Sequence, residues 1–420
     1  MNWKTVAQNR AAIKPNMVVV GIDIAKKWHY ARIQYPDRQF APALRFYNDA
    51  DGFARLVAYI RHHQELAACD DAVIGFESTG HYWMNLAHWL TSQGFKLVQV
   101  NPLHVKRSRD MLDNNPSGSD PKSALIIASM IAEGKYLKLT LPRGIYAELR
   151  ELTTRRSRLM HERTQKLNLL QAALDRLFPE FTDVFKDPKG KTALYLLEHY
   201  PAPEDLLLIE ALELTRQLRA QCQKSLSMKK IERLQAKARV TVGIQEARHL
   251  IRDGLLDAVR AVKSLQDQVR VLEARLQELV PEADESKYLL SVKGIGLITA
   301  AVILGETGGL ASYSHAQEVL KMAGLNLYVV KSGQYEGEHR ISKRGRPQLR
   351  KTLYMAALRL IQKGMALHEF YDRVVVHQKR KKKAVVAAAC RLVRILYALV
   401  RDRRHYSEHW SGPKPQVSGA

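Results

Sequence analysis

The sequence predicts an α/β domain, then a long helical region, then a second domain that is mainly helical. Residues 15–140 open with a β-hairpin pattern and then alternate helix and strand patterns, the order typical of α/β domains. Residues 145–285 carry long helical patterns, and compact apolar sequence returns over 287–405. We expect the terminal segment, 406–420, to be a disordered tail.

The first domain is expected to begin with a β-hairpin over residues 17–34. A β-branched run leads in, and apolar and polar residues alternate on the return. The remaining patterns predict strands at 72–77 and 96–100 and helices at 51–66, 82–93 and 121–133.

A heptad pattern marks the helical region. Apolar residues recur at alternating spacings of three and four for more than three heptads, at Leu255, Ala258, Val262, Leu265, Val269, Leu272, Leu276 and Leu279. An earlier helix carries Leu167, Leu170, Leu174 and Leu177 at the same spacing. Such a seam predicts a coiled coil, formed either between two helices of one chain or between subunits. Residues 180–250, between the two patterns, also appear helical in composition.

The last domain combines glycine turns with apolar helices. Gly294 and Gly296 precede one predicted helix, and a second is expected over 312–325, ending at Gly324. Residues 326–345 are predicted to be a loop, and 347–364 a helix.

The charge of the chain points to an anionic partner. Sixty-six Lys and Arg against 42 Asp and Glu leave a net charge of +24. An excess of this size favours nucleic acid, whose phosphates would make binding strongly salt-dependent. A solvated basic surface or an acidic membrane are the alternatives.

The cysteines and the apolar runs limit the class of protein. Cys69, Cys222 and Cys390 are far apart in sequence and form no CxxC pair, which argues against a disulfide framework and against structural zinc. No uninterrupted apolar run reaches about 18 residues, so no membrane span is expected. Residues 1–16 lack an apolar signal core, and we expect a cytoplasmic protein.

Three carboxylates lie within predicted elements or at their ends. Asp23 lies within the first strand, Glu77 ends the second, and Asp120 opens the helix at 121–133. If they converged, they would repel one another unless divalent cations neutralised them. Oxygen ligands suit magnesium or manganese, and two such ions about 4 Å apart would support phosphodiester cleavage.

Each carboxylate also has a structural explanation. Asp23 could pair with Lys26 or Lys27, and Glu77 could be an ordinary strand-end charge. Asp120 stands directly before a proline, as a helix N-cap does.

Ser332 lies in a strongly basic segment. The cations around it are Lys331, Arg340, Lys343, Arg344, Arg346 and Arg350. A hydroxyl among cations is suited to attack a phosphodiester, although a turn serine in a basic loop is the alternative from the residues alone. His339 is the nearest candidate base. The basic run at 379–383 would add non-specific phosphate binding.

The turn at Gly294 and Gly296 offers a second phosphate contact. Backbone N–H groups at a helix start could bind a DNA or RNA phosphate, as in a helix-hairpin-helix turn. A packing turn would have the same sequence.

Several segments resemble the insertion-sequence 110 transposase family, in order and spacing. In the first domain they are GIDIAK (21–26), GFESTGHYW (75–83), VNPLHVK (100–106) and SDPKSALIIA (119–128). In the last domain they are SVKGIGLITAAVILGETGG, LKMAGLNLYVVKSG and HRISKRGRPQLRKTLYMAAL. The resemblance covers about 17–140 and 287–365, with a helical spacer between. It implies an RNase H-like (RuvC-like) domain with a DEDD carboxylate set, a helical coiled-coil insertion and a transposase domain with a nucleophilic serine.

Residue by residue, the resemblance makes Asp23, Glu77 and Asp120 the first three DEDD members and Ser332 the nucleophile. It implies Mg²⁺ or Mn²⁺ as cofactor and a covalent phosphoserine link to DNA. The fourth acid is replaced by Ser123, a neutral and weak ligand. Three carboxylates could suffice, Asp113 could compensate, or metal binding could be weakened.

The resemblance also implies partners and a setting. The DNA partners would be the ends of the element and its target, guided by a structured bridge RNA encoded beside the gene. The protein would form dimers that pair into tetramers, near the nucleoid of a prokaryote.

The predicted function is therefore a transposase that cuts and rejoins DNA. One rival is a RuvC-like nuclease that hydrolyses DNA with water and does not need Ser332. The other is a catalytically impaired RNA- and DNA-binding protein, which Ser123 would favour.

Overall fold

The computed structural model describes residues 3–77, 80–112, 120–222, 227–329, 331–332, 335–337, 340–378 and 380–407. The chain divides into two compact units, Met1–Thr140 and Leu141–Ala420. No helix of the described residues is long and apolar enough to cross a membrane.

The first unit is a mixed α/β sheet with helices on both faces, which confirms the predicted α/β class. Its strands are β1 (Met17–Asp23), β2 (Trp28–Gln34), β3 (Leu44–Tyr47), β4 (Asp71–Glu77), β5 (Lys96–Val100) and β6 (Leu137–Lys138). Its helices are α1 (Trp3–Ala11), α2 (Ala50–Leu66), α3 (Trp83–Ser92), α4 (Pro102–Leu112) and α5 (Asp120–Ala132).

The strand order in this sheet is β3-β2-β1-β4-β5-β6. The first three strands of the chain are antiparallel neighbours, whereas β4 and β5 continue the sheet parallel to β1. The short β6 closes the far edge antiparallel to β5. The carboxyl ends of β1, β4 and β5 therefore meet at one end of the sheet.

Each face of the sheet is covered by different helices. On one face the ring of His29 lies near Phe46 of β3 and Phe53 of α2, and Phe76 stacks on Trp83 of α3. On the other face α5 packs against β1 and β2, and its Ile127 and Ile131 share an apolar cluster with Val19. The second face is the one that carries the predicted carboxylates.

In its described residues, the second unit is helical apart from two short ribbons. Its long helices are α6 (Ile145–Leu177) and α12 (Arg248–Leu279), with a 3-10 turn at Val280–Glu282. Between them lie α7 (Phe181–Val184), α8 (Lys191–His199), α9 (Pro203–Leu207), α10 (Ala211–Cys222) and α11 (Met228–Arg239). After them come α13 (Ser286–Leu290), α14 (Leu297–Thr307), α15 (Ala316–Ala323), α16 (Pro347–Leu360), α17 (His368–Gln378) and α18 (Lys381–Arg401).

The heptad seam of α12 faces α6 of the same chain. Leu159 of α6 clusters with Leu265, Val269 and Leu272. Further along α6, Leu170 joins the cluster of Leu255 and its neighbours, so the two helices run in opposite directions. An ion pair between Arg156 and Glu273 flanks the seam. The heptads allow a coiled coil within one chain or between subunits, and in this structure the seam packs within the chain.

The segment 326–345, predicted to be a loop, contains two ribbons instead. The outer ribbon pairs β7 (Leu327–Tyr328) with β10 (Arg340–Ile341), and the inner one pairs β8 (Lys331–Ser332) with β9 (Tyr335–Glu336). Strands of two residues are too short to produce a period-two pattern, which is why the sequence does not reveal them. The helix before this segment ends as predicted at Gly324, whose φ of 68° is left-handed.

Candidate active site

Asp23 and Glu77 end two neighbouring parallel strands in the same register. β1 and β4 pair Gly21 with Gly75 and Ile22 with Phe76, so Asp23 and Glu77 follow side by side. Residues in register on parallel strands point to the same face, and side chains alternate along each strand. Both carboxylates therefore lie on the face of Gly21 and Gly75, and both side chains are partly exposed.

Gly21 allows α5 to lie directly against this face. A Cβ at Gly21 would stand 2.3 Å from the carbonyl oxygen of Ala124 and 2.3 Å from the amide nitrogen of Ala128. A Cβ at Gly75, the β4 neighbour of Gly21, would stand 2.5 Å from Cδ1 of Ile131, so α5 passes from β1 to β4 between Ala124 and Ile131. The first turn of α5 immediately precedes Ala124, and Asp23 follows Gly21 by two residues, so both lie within a few residues of the same contact.

That first turn contains the other two predicted metal ligands. Asp120 is its exposed first residue, and Ser123, one turn later on the same side of the helix, is only 2% exposed. In the described ranges, no group of three or more His, Cys, Asp or Glu side chains is close enough to hold a metal ion. The fold therefore places Asp23 and Glu77 on neighbouring strands and the first turn of α5 close to the contact at Gly21, without a three-carboxylate cluster among those residues. Asp113, the predicted compensating acid, lies outside the described residues.

Replacing Gly21 with Ala is expected to destabilise the first unit. The added methyl group would meet helix backbone at 2.3 Å, so α5 must move away from β1. Overpacking of this kind costs about 1–3 kcal/mol, and backbone cannot give way as a side chain can. Urea unfolding should show the loss.

Gly254→Ala is the matched control for this substitution. Gly254 lies within α12, and a Cβ there meets no atom within 4 Å. Alanine should be neutral or stabilising by up to about 1 kcal/mol because it favours helix. If Gly21→Ala unfolds like the wild type, the close approach of α5 is wrong.

Ser332 lies in the inner ribbon of the second unit. It ends β8 and pairs with Tyr335, while Lys331 pairs with Glu336. The outer ribbon pairs Tyr328 with Arg340. The inner ribbon thus extends the outer one. We call the strands β7 to β10 together the nested hairpin, and Ser332 lies near its end. His339 and the residues that join β8 to β9 lie outside the described residues.

Two of the predicted DNA-binding arginines form intrachain contacts at the base of this hairpin. Arg346 donates from Nη1 to the backbone carbonyl of Glu306 and lies 3.4 Å from its carboxylate. Arg350 donates from Nη1 to the carbonyl oxygens of Ala323 at 2.9 Å and Lys343 at 3.2 Å. These bonds fasten the returning chain to the helical core.

Glu306 belongs to this anchor and was not predicted from sequence. It is a buried acid on α14, and Arg346 is its ion-pair partner. Burial and the nearby charge of Arg346 lower the pKa of Arg150, which lies in the same surroundings. A single acid inside the apolar stretch 297–307 was the available signal. By contrast, Arg340, Lys343 and Arg344 are exposed.

The predicted phosphate-binding turn joins α13 to α14. Gly294 has a φ of 105°, and Ile295 is buried between the two glycines. Gly296 is exposed at the start of α14, and a Cβ there would meet no atom within 4 Å. The amide end of α14 is therefore open to an anion, as a helix N-terminus that binds phosphate must be.

The comparison with solved structures includes a match to a RuvC protein. The RuvC protein of T. thermophilus, solved in complex with a Holliday junction substrate, is 15% identical. The match covers 29% of this chain and 99% of that one, with a TM-score of 0.21.

Curated relatives match along nearly the whole chain. An uncharacterised 42 kDa protein of insertion element IS900 from Mycobacterium paratuberculosis is 26% identical over 93% of this chain and 97% of its own. An uncharacterised 44.8 kDa protein of IS116 from Streptomyces clavuligerus is 24% identical over 95% and 97%. The pilin gene-inverting protein of Moraxella lacunata is 22% identical over 93% and 97%.

Two family models match in the order that the sequence motifs predict. The transposase model DEDD_Tnp_IS110 matches residues 20–179, which include the carboxylate strands and α5. The model of the IS116/IS110/IS902 transposase family matches residues 286–372, which include the glycine turn and the nested hairpin. Since the two segments make up more than half of the sequence, the chain belongs to the IS110 family of insertion-sequence transposases.

Proposed function

We propose that this protein is the DNA recombinase of a mobile insertion sequence and that it cuts and rejoins DNA through a covalent link to Ser332. The proposal rests on Asp23 and Glu77, which lie side by side at the carboxyl ends of parallel strands, and on α5, which packs against Gly21 on the same face. In a transposase, paired carboxylates at one sheet edge fit phosphodiester chemistry.

The first unit is proposed to be an RNase H-like (RuvC-like) domain. Its support is the topology: three antiparallel strands, two more parallel to the first, and a helix across the face that bears the carboxylates. The role of α6 and α12 as an inserted coiled-coil arm is part of the same proposal.

The residues at this edge fit a hard divalent cation. Their donor atoms are carboxylate oxygens. Such oxygens are typical ligands of Mg²⁺ and Mn²⁺ rather than of Zn²⁺ or copper. Asp23 and Glu77 would hold the ion, and the family relationship suggests Asp120 and the Ser123 hydroxyl, in the first turn of α5, as further ligands. When bound, such an ion would supply Lewis-acid chemistry, because it neutralises charge on a phosphate.

Ser332 would supply the attacking hydroxyl. Its Oγ forms a bond to phosphorus, the bond from phosphorus to one sugar oxygen breaks, and that oxygen leaves as a hydroxyl with the serine proton. A hydroxyl from another strand then attacks the phosphoserine and releases Ser332, so no phosphodiester energy is lost. Exposed Arg340, Lys343 and Arg344 would hold the phosphate, while Arg346 and Arg350 keep the hairpin in place.

The guide RNA and the oligomer are proposed on the family relationship. A net charge of +24 supports binding of more than one nucleic acid. Because the heptad seam is satisfied within the chain, dimers and tetramers would have to form through other surfaces or by exchange of α12 between chains.

Incubating the purified protein with labelled element DNA, Mg²⁺ and the flanking transcript tests the proposal. A covalent protein–DNA adduct is expected, and it should depend on the transcript. Free nicked DNA without an adduct would instead support the RuvC-like nuclease. Binding without cleavage would support the impaired binding protein.

Ser123→Asp tests whether the missing fourth acid limits activity. Ser123 is buried beside the carboxylate edge, so a new carboxylate there would join the ligands. We expect adduct formation to rise and to need less Mg²⁺. Ser123→Asn is the control because asparagine is similar in size to aspartate but neutral. If both variants change adduct formation equally, the effect is not due to charge.

A further inference from the structure

We propose that a row of stacked side chains on β2 and β3 binds unpaired nucleobases next to the carboxylate edge. This row consists of Trp28, Tyr30, Arg45 and Tyr47, and we call it the edge stack. The inference deepens the proposed function, on which it rests for the nature of the substrate.

Strand register places the edge stack beside Asp23. Across β1 and β2, Asp23 pairs with Tyr30. Across β2 and β3, Tyr30 pairs with Arg45, and Trp28 pairs with Tyr47. Directly opposed residues of antiparallel strands point to the same face, so all of them share the face of Asp23.

The side chains form a continuous array of flat groups. The rings of Trp28 and Tyr47 are stacked, with centroids 3.4 Å apart and planes inclined by 28°. The guanidinium carbon of Arg45 lies 3.8 Å from the centre of a Trp28 ring and 5.8 Å from that of Tyr30. Alternating aromatic and guanidinium planes are the surfaces on which proteins stack unpaired bases.

The array is open at its outer end. Tyr47 is 49% exposed and Arg45 is exposed, whereas His29 and Phe46, on the opposite face of the same strands, are buried. Edge strands are usually protected by charges or proline rather than by large exposed rings. The exposed ring of Tyr47 therefore offers a free stacking surface.

Cations stand next to that outer end. Lys26 and Lys27 are exposed in the turn before β2. The backbone amide of Asn48 donates to the Lys27 carbonyl at 3.0 Å, and its side-chain amide donates to the Lys26 carbonyl at 3.3 Å. Since Asn48 directly follows Tyr47, these bonds keep both lysines near the ring, where they can neutralise the phosphate of a stacked nucleotide.

The occupant is a nucleotide of a single-stranded segment. Bases in a duplex stack on each other and offer no free face, whereas strand exchange exposes unpaired bases near the phosphate that reacts. Stacking is tolerant of base identity, so the edge stack would hold the strand without reading its sequence. Unpaired DNA and unpaired RNA share this chemistry.

Photo-crosslinking of the full chain tests the site directly. Oligonucleotides with 5-iodouracil, as single-stranded DNA, single-stranded RNA and duplex DNA of the same sequence, are irradiated with the protein in EDTA. Crosslinks to the peptide with Trp28 or Tyr47 are expected for the single strands and not for the duplex. A crosslink from one single strand alone identifies that strand as the occupant, whereas none from either overturns the proposal.

Three substitutions separate stacking from a structural role. Tyr47→Phe should bind single strands as the wild type does, and Tyr47→Leu should weaken this binding about tenfold because it keeps apolar bulk but removes the aromatic face. Tyr195→Ala, in α8 of the second unit, is the control for loss of a tyrosine elsewhere. Equal binding by Tyr47→Leu and Tyr47→Phe would show that the stack only stabilises the sheet edge.

These measurements do not depend on cleavage. EDTA removes the metal, and neither binding nor crosslinking needs Ser332. A protein that crosslinks at Tyr47 but never forms an adduct with Mg²⁺ would refute the proposed function and leave the binding site standing.

Discussion

Replacing Ser332 with Ala is expected to abolish the covalent protein–DNA adduct. The substitution removes the proposed nucleophile, and loss of a nucleophile lowers turnover by at least about 10³-fold. DNA and RNA binding should be nearly unchanged because Arg340, Lys343 and Arg344 remain exposed around the site. Denaturing gels measure the adduct, and filter binding measures affinity.

Ser314→Ala is the matched control for the serine. Ser314 is exposed in the same unit, before α15, and lies outside the nested hairpin. Its removal should leave the adduct unaffected. A Ser332→Ala protein that still recombines DNA would make water the attacking group, which is the nuclease alternative.

The single variants Asp23→Asn and Glu77→Gln are each expected to lose strand cleavage and to keep the fold intact. Both changes keep the shape of the side chain and remove its charge, so metal affinity should fall sharply. Metal ions contribute several kcal/mol to phosphoryl chemistry, which corresponds to a loss of about 10³-fold. Cleavage rates over a Mg²⁺ titration measure the effect.

Asp71→Asn controls for loss of an acid from the same sheet. Asp71 begins β4, at the end opposite to Glu77, and its carboxylate accepts a hydrogen bond from Ala72. The Asp71→Asn protein should cleave DNA like the wild type, with the same Mg²⁺ requirement. If the three variants behave alike, the carboxylate edge is not the metal site.

The regular elements of the first unit were predictable because their patterns are long. The buried runs of β1 and β4, the alternating pattern of β5 and the periodic helix α2 are each evident in the sequence. β3 was missed because it has four residues, and only Phe46 among them is buried. Its neighbour β2 was predicted, but the pairing that completes the edge stack depends on β3.

The heptads of α12 predicted the seam but not its partner. A heptad seam specifies an apolar stripe on the helix. The same stripe can pack against a helix of the same chain or of another chain. The intervening helices, α7 to α11, bring the chain back so that α12 lies antiparallel to α6. Their short amphipathic patterns do not reveal this return.

The sequence predicts which residues belong to the candidate site better than it predicts the contacts they form. Asp23, Glu77 and Ser332 stand out as polar residues at the ends of elements or in a basic segment. The role of Gly21 in admitting α5 depends on the distance between strand and helix backbones. The anchoring of Arg346 by Glu306 joins residues 40 positions apart, which composition and charge cannot indicate.

Mass spectrometry of the trapped adduct identifies the residue that is joined to DNA. The protein is incubated with element DNA, its transcript and Mg²⁺, then denatured and digested with protease and nuclease. If Ser332 is the nucleophile, a nucleotide is attached to the peptide that contains Ser332, at the serine oxygen. A nucleotide on any other residue, or cleaved DNA with no modified peptide, would contradict that assignment.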